Sequence, residues 1–382
     1  MSEQKNTYLV ITPFFPSYEN HNGSYVFDQI KEIKKQTSFN IEIIKVVSLF
    51  SSEKDYEFQG FQVKIFKTFD FPFFIFPGAF SFINKKRIVS FLKFKTIKNI
   101  AFVHAHVTYP CAYLANSISS KLKIKTFIQH HGLDVLQLLN GRNYFLRKIW
   151  KKYFIRKSIS QLNNIDVNIG VSNKVLNELQ QFDSYNPISE YVLYNGVDIS
   201  KFFPKKRQES NSFKIGCVAN FWKIKDHILL IKAVEILAAE GLDIKLRLIG
   251  TGPTFSKCFN YVKNNNLQQS ITFEKERSHE GLNDFYNEID LFVLPSYYEA
   301  LGCVYLESWA TNTPFIAVQG QGIAELAPDK KNMLFEKKNL NSLIEKIKYF
   351  TKNKIQIKFD ENLKIENTIS DFLKLEQFKS ND

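Results

Sequence analysis

The chain has 382 residues, of which 44% are hydrophobic and 15% aromatic, so it is too long for one compact core and too apolar to be disordered. About two domains are expected, and a small disulfide scaffold or a lone binding module is excluded. The formal net charge is +13, but no helix-turn-helix, RNA-recognition or zinc-finger pattern accompanies it, so nucleic acid is not expected as a partner.

Short β-branched or aromatic runs alternate with intervals of helix length. In the first half, the predicted strands fall at residues 8–14, 41–50, 61–66, 99–106, 125–131, 165–172 and 191–196. The same rhythm begins again in the second half, at residues 213–221, 244–250, 270–274, 290–296 and 314–319. This alternation predicts an α/β protein with two Rossmann-like, doubly wound parallel sheets that face each other across a central cleft.

The positive charge is concentrated in residues 51–160, which carry 19 basic and 5 acidic side chains. Within this region, residues 69–98 combine an aromatic run with a basic stretch in which the apolar residues Ile88, Phe91, Leu92 and Phe94 lie at near-helical spacing. Such a segment is typical of a helix that lies on an anionic membrane surface. The alternative is an ordinary surface helix whose apolar face packs on its own domain, and the sequence leaves both interpretations open.

The four cysteines are far apart and form no CxxC pair, which argues against zinc ribbons, redox motifs and a disulfide framework. The N-terminal stretch lacks the basic region of a signal peptide. No run of about 18 apolar residues occurs, so no transmembrane helix is expected. We therefore predict a cytoplasmic protein, either soluble or peripheral on the inner face of the membrane.

The most informative segment is residues 290–318. A strand of buried type leads into a loop that carries Glu299, and a short helix from about Gly302 contains Glu307. Glu307 lies in the apolar run LGCVYLESWA, where a carboxylate is costly unless it meets a hydroxyl pair or a cation. The alternative is that Glu307 faces solvent and Glu299 is an ordinary loop acid.

The start of this helix is a candidate phosphate site. The backbone N–H groups of Leu301, Gly302 and Cys303 would point out of the first turn, where anions bind favourably. Together with the two carboxylates, this arrangement suits the hydroxyls, the diphosphate and the ribose diol of a sugar nucleotide.

The sequence PSYYEALGCVYLESWA resembles the motif of the family-4 retaining glycosyltransferases of GT-B fold, in which two glutamates separated by seven residues follow a PS-containing strand end. Glu299 and Glu307 match that spacing. The resemblance implies that Glu299 binds the donor sugar, that Glu307 binds the ribose diol, and that Glu299 is one of the catalytic residues.

Other segments resemble the nucleotide-binding half of the family in the same order. Residues 218–237 match the first strand, phosphate loop and helix, with Lys225 at the position of the diphosphate-binding lysine. Asn220 departs from the pattern, since many members carry an arginine there. Gly250 and Gly252, in LRLIGTGP, match a strand-to-glycine turn near the donor.

The first half resembles the family at two loops. Gly23, in TPFFPSYENHNGSY, matches the glycine that lets the chain approach the donor phosphate and the acceptor. His131, in the sequence HGLD, matches a histidine that contacts the transferred sugar, and Asp134 would help to order that loop. Taken singly, each of the histidines in this region is better explained by a structural role than by a reacting one: His104, His106, His130 and His131.

The resemblance implies a retaining transfer of sugar from a UDP- or GDP-sugar to a hydroxyl of a saccharide or lipid-linked acceptor, in cell-surface polysaccharide synthesis. It implies domains at 1–198 and 199–358, and a C-terminal helix within 359–382 that crosses back to the first domain. No DxD motif is present, which predicts transfer without a metal or cofactor.

Two other functions are weighed against this one. A sugar-nucleotide epimerase would show GxGxxG after its first strand, and TPFFPSYENHNG does not. A non-catalytic, nucleotide-sugar-binding subunit is the remaining alternative, and Asn220 is compatible with it.

Overall fold

The computed structural model describes residues 6–20, 22–70, 78–133, 136, 147–207, 211–353 and 355–378. The chain divides into two compact units, the first formed by residues up to 194 together with those from 369 onward, and the second by residues 195–368. Asp134 and residues 71–77 of the aromatic run lie outside the described residues.

The first unit is built on a mainly parallel sheet. Within the described residues its strands are β1 (Thr7–Thr12), β2 (Asn40–Ser48), β3 (Tyr56–Phe58), β4 (Phe61–Thr68), β5 (Ile100–His106), β6 (Lys125–His130), β7 (Val167–Gly170) and β8 (Glu190–Val192). Their order is β3-β4-β2-β1-β5-β6-β7-β8, with β3 antiparallel to β4 and the other pairs parallel. Every residue of β1 is buried, as expected for a central strand covered on both faces.

Helices connect these parallel strands. The helices described in the first unit are α1 (Ser24–Gln36), α2 (Ser81–Phe94), α3 (Tyr113–Leu122), α4 (Arg147–Leu162) and α5 (Asn173–Gln180). The apolar positions of α2 illustrate why they pack, since Ile88 and Leu92 are one turn apart and both join the core beneath the sheet.

The second unit repeats the design with a fully parallel sheet. In the described part of the chain its strands are β9 (Phe213–Val218), β10 (Ile244–Ile249), β11 (Ile271–Glu274), β12 (Leu291–Val293), β13 (Phe315–Val318) and β14 (Leu334–Phe335). The order β11-β10-β9-β12-β13-β14 reverses direction between β9 and β12. The loops that follow these two strands are therefore at the switch point where α/β sheets bind ligands.

The second unit also contains helices between its strands. Those described are α6 (His227–Ala239), α7 (Phe255–Asn264), α8 (His279–Glu288), α9 (Cys303–Ala310), α10 (Lys330–Met333), α11 (Leu340–Asn353) and α12 (Ile365–Phe372). The division between the units falls within α12, so Phe372 and Phe378 belong to the first unit, where the Phe378 ring stacks on Phe127 at a centroid distance of 4.8 Å.

The structure confirms the predicted parallel, doubly wound sheets. Strands β3 and β14, of three and two residues, were not predicted. Residues 197–207 belong to the second unit, where Phe202 is buried and the backbone N–H of Phe203 donates to Asn283 Oδ1 at 3.0 Å. Hydrophobic contact and side-chain acceptors thus hold this polar segment in place.

The basic segment contains α2, whose buried face packs on its own unit. Ile88 is 0% exposed, whereas Phe82 and Phe94 are 60% and 77% exposed. The apolar face that contains Ile88 therefore packs on its own unit, as the second interpretation predicted. The opposite face of α2 exposes aromatic and basic side chains. Nowhere in the described chain is a helix both long enough and apolar enough to cross a bilayer.

Candidate active site

The candidate donor site is in the second unit, on the loops after β9 and β12. The backbone N–H of Tyr297 donates to the carbonyl oxygen of Ile224 at 3.0 Å. The hydroxyl of Ser296 donates to the same carbonyl at 3.2 Å. Because Lys225 follows Ile224 directly and Glu299 lies two residues after Tyr297, these bonds bring the two predicted side chains together.

Lys225 and Glu299 form an ion pair in which Lys225 Nζ donates to Glu299 Oε1. The side chains are 23% and 11% exposed, so the pair is largely screened from solvent. A carboxylate buried to this degree needs a cation, and an ammonium has three N–H groups, of which this bond uses one. Glu299 is therefore a loop acid with a cationic partner, and its role toward a donor sugar stays a prediction.

The backbone of Glu299 is also held on both sides. Its N–H donates to the side-chain oxygen Oε1 of Gln321 at 2.8 Å, and its carbonyl accepts from the N–H of Gly322 at 3.2 Å. Gln321 lies on the loop after β13, so three consecutive loops of the parallel sheet fix the position of one carboxylate.

Glu307 is half-buried on α9 and accepts a hydrogen bond from the hydroxyl of Tyr286 at 2.9 Å. Tyr286 lies on α8 and is fully buried. Burial raises the pKa of Tyr286 first of all, and the neighbouring Glu307 carboxylate raises it further. The neutral phenol therefore supplies the partner that a carboxylate in an apolar run requires, and Glu307 is not a solvent-facing surface acid.

Gly302 precedes α9 with a φ of 86°, in the left-handed region that favours glycine. A Cβ at this position would lie 2.8 Å from Cδ2 of Tyr305 and 3.7 Å from Glu299 Oε2. Leu301 is buried beside it, and Cys303 Sγ accepts from Asn195 Nδ2 at 3.3 Å. The predicted phosphate-facing residues are thus gathered next to Glu299.

The turn after β10, which contains Gly250 and Gly252, lies against the backbone of the loop that leads to Lys225. Gly250 and Gly252 have φ values of 140° and 147°. A Cβ on Gly250 would collide with the carbonyl oxygen of Ala219, and one on Gly252 would lie 2.8 Å from that of Phe221. Both glycines are therefore required by backbone proximity. Asn220, between these two contacts, is exposed.

In the first unit, Gly23 stands immediately before α1 with a φ of 89°. A Cβ there would lie 2.6 Å from the carbonyl carbon and oxygen of Phe14. The turn between β1 and α1 therefore needs a glycine for its own geometry. Backbone packing is therefore sufficient reason for a glycine at this position. The contact of Gly23 with the donor phosphate and the acceptor stays a prediction.

His131 follows β6 and is part of a stack of imidazoles. Its Nε2 lies 3.0 Å from Nδ1 of His106, and the two rings are nearly parallel with centroids 5.3 Å apart. His106 in turn stacks on His104 at 4.6 Å. Burial first of all, together with the neighbouring histidines His104 and His130, lowers the pKa of His131 to about 3. His131 is therefore a neutral imidazole at physiological pH.

In the part of the chain that the structure describes, no three His, Cys, Asp or Glu side chains are grouped so that they could hold a metal ion. Transfer without a divalent cation stays a prediction, which an experiment with a chelator can test.

Three residues that position the site were missed by the sequence reasoning. Gln321 and Tyr286 bond Glu299 and Glu307 across 22 and 21 residues of sequence, and Ser296 reaches back 72 residues to Ile224. One of these contacts was signalled by the sequence: Glu307 lies in an apolar run, so its carboxylate needed a polar partner, which is Tyr286.

Two family models match this chain. The model described as Glycosyl transferases group 1 matches residues 198–368, and the model described as Glycosyltransferase Family 4 matches residues 35–201. Together they span most of the sequence and one model falls mainly on each unit. The chain belongs to the group 1 glycosyltransferases of family 4, which confirms the resemblance drawn from its motifs.

Three relatives are named as glycosyltransferases or as a synthase. An uncharacterised glycosyltransferase of Methanocaldococcus jannaschii is 29% identical over 69% of this chain and 72% of the relative. N-acetyl-alpha-D-glucosaminyl L-malate synthase of Bacillus anthracis is 30% identical over 60% of this chain and 59% of the synthase. The putative teichuronic acid biosynthesis glycosyltransferase TuaC of Bacillus subtilis is 23% identical over 71% of this chain and 67% of that protein.

Solved structures share the fold. Sucrose-phosphate synthase of Thermosynechococcus elongatus aligns with a TM-score of 0.69 and 15% identity, over 95% of this chain and 92% of the synthase. HepE of Anabaena, solved in complex with UDP and glucose, aligns with a TM-score of 0.63 and 15% identity, over 96% and 94%. The predicted GT-B fold is confirmed by these likenesses and by the two parallel-sheet units.

Proposed function

We propose that this glycosyltransferase moves a sugar from a nucleotide-diphospho-sugar to a hydroxyl of a saccharide or lipid-linked acceptor, with retention of the anomeric configuration, in cell-surface polysaccharide synthesis. The observation that carries the proposal is the buried Lys225–Glu299 pair on the loops after β9 and β12. The description of one relative as a teichuronic acid biosynthesis enzyme supports this class of product.

The donor is assigned to the second unit. Lys225 has N–H groups left for the diphosphate after its bond to Glu299, which orients the ammonium. Glu299 can accept from sugar hydroxyls through its second oxygen, and Glu307 can accept from a ribose diol. The structure of HepE with UDP and glucose supports a UDP-sugar, while a GDP-sugar is the alternative to be separated by experiment.

The reaction breaks the bond between the anomeric carbon and the diphosphate oxygen, and forms one between that carbon and the acceptor oxygen on the same face. The acceptor proton passes to the leaving phosphate oxygen, so the chain need not supply a strong base. Negative charge develops on the diphosphate in this step. In this proposal Lys225 stabilises that charge, and electrostatic stabilisation of this kind is usually the largest single term in catalysis.

The first unit supplies the candidate residues for the transferred sugar and the acceptor, His131 and Gly23. His131 is neutral because burial lowers its pKa to about 3, so it interacts with hydroxyl groups by hydrogen bonding without adding charge. The proposal includes no metal and no cofactor. Turnover that continues in excess EDTA is the expected result, and loss of turnover restored by Mg²⁺ or Mn²⁺ would contradict it.

The donor is tested by ligand-induced stabilisation. Binding raises the melting temperature by mass action, so UDP, GDP, ADP and CMP are compared in a thermal-shift screen. A shift with UDP or GDP identifies the base, and transfer assays with the matching sugars follow. A protein that binds the nucleotide diphosphate but turns over neither UDP- nor GDP-sugars would be the non-catalytic subunit instead.

We further propose that the outer face of α2 meets an anionic membrane surface, which would favour a lipid-linked acceptor. Phe82 and Phe94 are 60% and 77% exposed, and Lys86 and Lys93 are exposed beside them. Aromatic rings and lysines on one exposed helix suit the boundary between headgroups and acyl chains. The other basic residues of this helix are engaged within the protein.

Those engaged residues decide which variants to make. Lys85 Nζ donates to Gln161 Oε1 at 3.0 Å, and Arg87 donates to the carbonyl of Lys67 at 2.8 Å. The vesicle test therefore changes Lys86 and Lys93 to glutamine. Co-sedimentation with phosphatidylglycerol vesicles should weaken, while vesicles of phosphatidylcholine alone bind neither protein.

A charge-matched control replaces Lys121 and Lys123, two exposed lysines beyond α2, with glutamine. This variant has the same net charge as the first and should still bind the anionic vesicles. Equal weakening in both variants would show that total charge alone governs binding, and no binding by the unaltered protein would remove the proposal.

A further inference from the structure

Behind His131, a continuous column of rings runs into the first unit. The hydroxyl of Tyr8 lies 2.7 Å from Nδ1 of His104, whose ring stacks on His106. His106 and His131 lie side by side with nearly parallel rings, and His131 contacts the ring of Tyr25 at a centroid distance of 4.7 Å. The column joins residues of β1, β5 and α1 with the residue that follows β6.

The column is buried at its inner end and neutral along its length. His104 and His106 are 0% exposed. Burial lowers the pKa of His104 to about 3, and it lowers that of His106 well below the usual value, with the neighbouring His104 and His131 adding to the effect. Two imidazoles 3.0 Å apart at their facing nitrogens therefore share one proton in a hydrogen bond, and neither carries a charge.

The surroundings of His106 determine which nitrogen donates. Its other ring nitrogen, Nε2, is buried and has no hydrogen-bond partner among the described residues. If His131 donated, this nitrogen would carry a buried N–H with no acceptor. If His106 donates from Nδ1, Nε2 presents only a lone pair. An orphaned N–H is the rarer case in proteins, so the second arrangement is favoured.

We propose that His106 is a positioning residue for His131. Its Nδ1–H donates to Nε2 of His131, which fixes the orientation of that imidazole and keeps its proton on Nδ1. His131 then presents a neutral N–H donor to a hydroxyl or ring oxygen of the substrate. This inference rests on the proposed function for the role of His131, but its structural part can be tested without activity.

The direct test is the tautomer of His131, read from ¹⁵N-histidine NMR of the intact protein and assigned by loss of its signals in His131→Gln. The proposal predicts a neutral imidazole protonated on Nδ1. It also predicts that His106→Leu, which removes the donor, allows the proton to move to Nε2. A wild-type His131 protonated on Nε2, or a tautomer that His106→Leu leaves unchanged, would overturn it.

The kinetic test uses the donor found by the nucleotide screen. His106→Leu should lower kcat about 10- to 100-fold with little change in the KM for the donor, because a misoriented contact affects the reacting geometry more than nucleotide binding. His106→Asn places an amide N–H at the position of Nδ1 and should recover most of the loss. Wild-type kcat in His106→Leu, or equal kcat in the two variants, would overturn the proposal.

Two measurements separate this inference from the proposed function. Circular dichroism and the thermal shift with UDP or GDP show whether His106→Leu is folded and still binds nucleotide. If it does not fold, the tautomer in the unaltered protein decides the question. If no sugar nucleotide is turned over by the wild type, the proposed function fails, whereas the tautomer experiment still tests the His106–His131 bond.

Discussion

The two units place polar side chains at the carboxyl ends of parallel strands, but they stabilise them in opposite ways. In the second unit, Lys225 and Glu299 are both charged and neutralise each other across a largely buried ion pair. In the first unit, His106 and His131 share a hydrogen bond and burial keeps both uncharged. The site in the second unit thus contains a pair of opposite charges, whereas the imidazoles of the first unit carry no charge.

This difference matches the chemistry assigned to each unit. A diphosphate that gains negative charge as it leaves requires a cation, and a buried cation requires a carboxylate. Hydroxyl groups of a sugar need donors and acceptors but no net charge. The predictions below test the contrast, beginning with the residue on which the largest effect is expected.

Replacing Lys225 with methionine should reduce kcat/KM about 100- to 1000-fold, because the cation that stabilises the leaving diphosphate is lost. Steady-state kinetics with the identified donor measure the change. Lys223, which lies in the same short turn but is exposed, is the matched control and should tolerate methionine far better. Equal losses in the two variants would show that the paired lysine has no special role.

Replacing Gly250 with alanine should destabilise the second unit by about 3 kcal/mol, since a positive φ and a collision with the backbone at Ala219 act together. Gly241→Ala is the control, because Gly241 also has a positive φ of 90° but nothing within 4 Å of its Cβ position. It should cost about 1 kcal/mol. Urea unfolding measures both, and equal costs would contradict the close approach of the two loops.

Lowering the pH should destabilise the first unit through its neutral histidines. Burial lowers the pKa of fully buried His130 to about 4, whereas an unfolded histidine titrates near 6.5. Below pH 6.5 the unfolded chain binds a proton that the folded chain does not, so stability falls as pH falls toward 4. At pH 5 the loss is about 2 kcal/mol for this residue.

Urea unfolding at pH 7 and pH 5 measures this loss in the wild type and in His130→Asn. The variant lacks the titrating group, so its stability should fall by about 2 kcal/mol less over the same interval. Other titrating groups cancel in the comparison. An identical fall in both proteins would show that His130 is not held neutral.

The smallest effect is expected at Asn220. Its side chain is exposed and carries no charge, so Asn220→Ala should change kcat/KM by less than about threefold, the range of a weak exposed hydrogen bond. Asn220→Arg should tighten donor binding if a second cation is missing from the diphosphate site. A large loss in Asn220→Ala would mean that the amide contributes more than its exposure indicates.

The sequence was sufficient for the features that are local. The spacing of Glu299 and Glu307 and the loop position of Lys225 are short-range patterns, and the structure brings Lys225 and Glu299 into contact. The partners that fix these side chains could not be predicted, because Tyr286 and Gln321 come from other loops and helices. Their contacts depend on how the strands are ordered in the sheet.

Helix α2 shows the same limit in another form. Its existence followed from the spacing of Ile88 and Leu92, but the spacing does not say whether the apolar face meets its own domain or another surface. The structure assigns Ile88 and Leu92 to the core and leaves Phe94 outside. Orientation depends on the neighbouring elements, so it had to be read from the fold.

The most direct test of the account is the affinity of the second unit's site for a nucleoside diphosphate, measured by isothermal titration calorimetry on the unaltered protein and on Lys225→Met. We predict that the variant binds the diphosphate about 10- to 100-fold more weakly, as expected for one charge-assisted hydrogen bond, while its affinity for the nucleoside alone is unchanged. Equal affinities for the diphosphate in the two proteins would contradict the central claim.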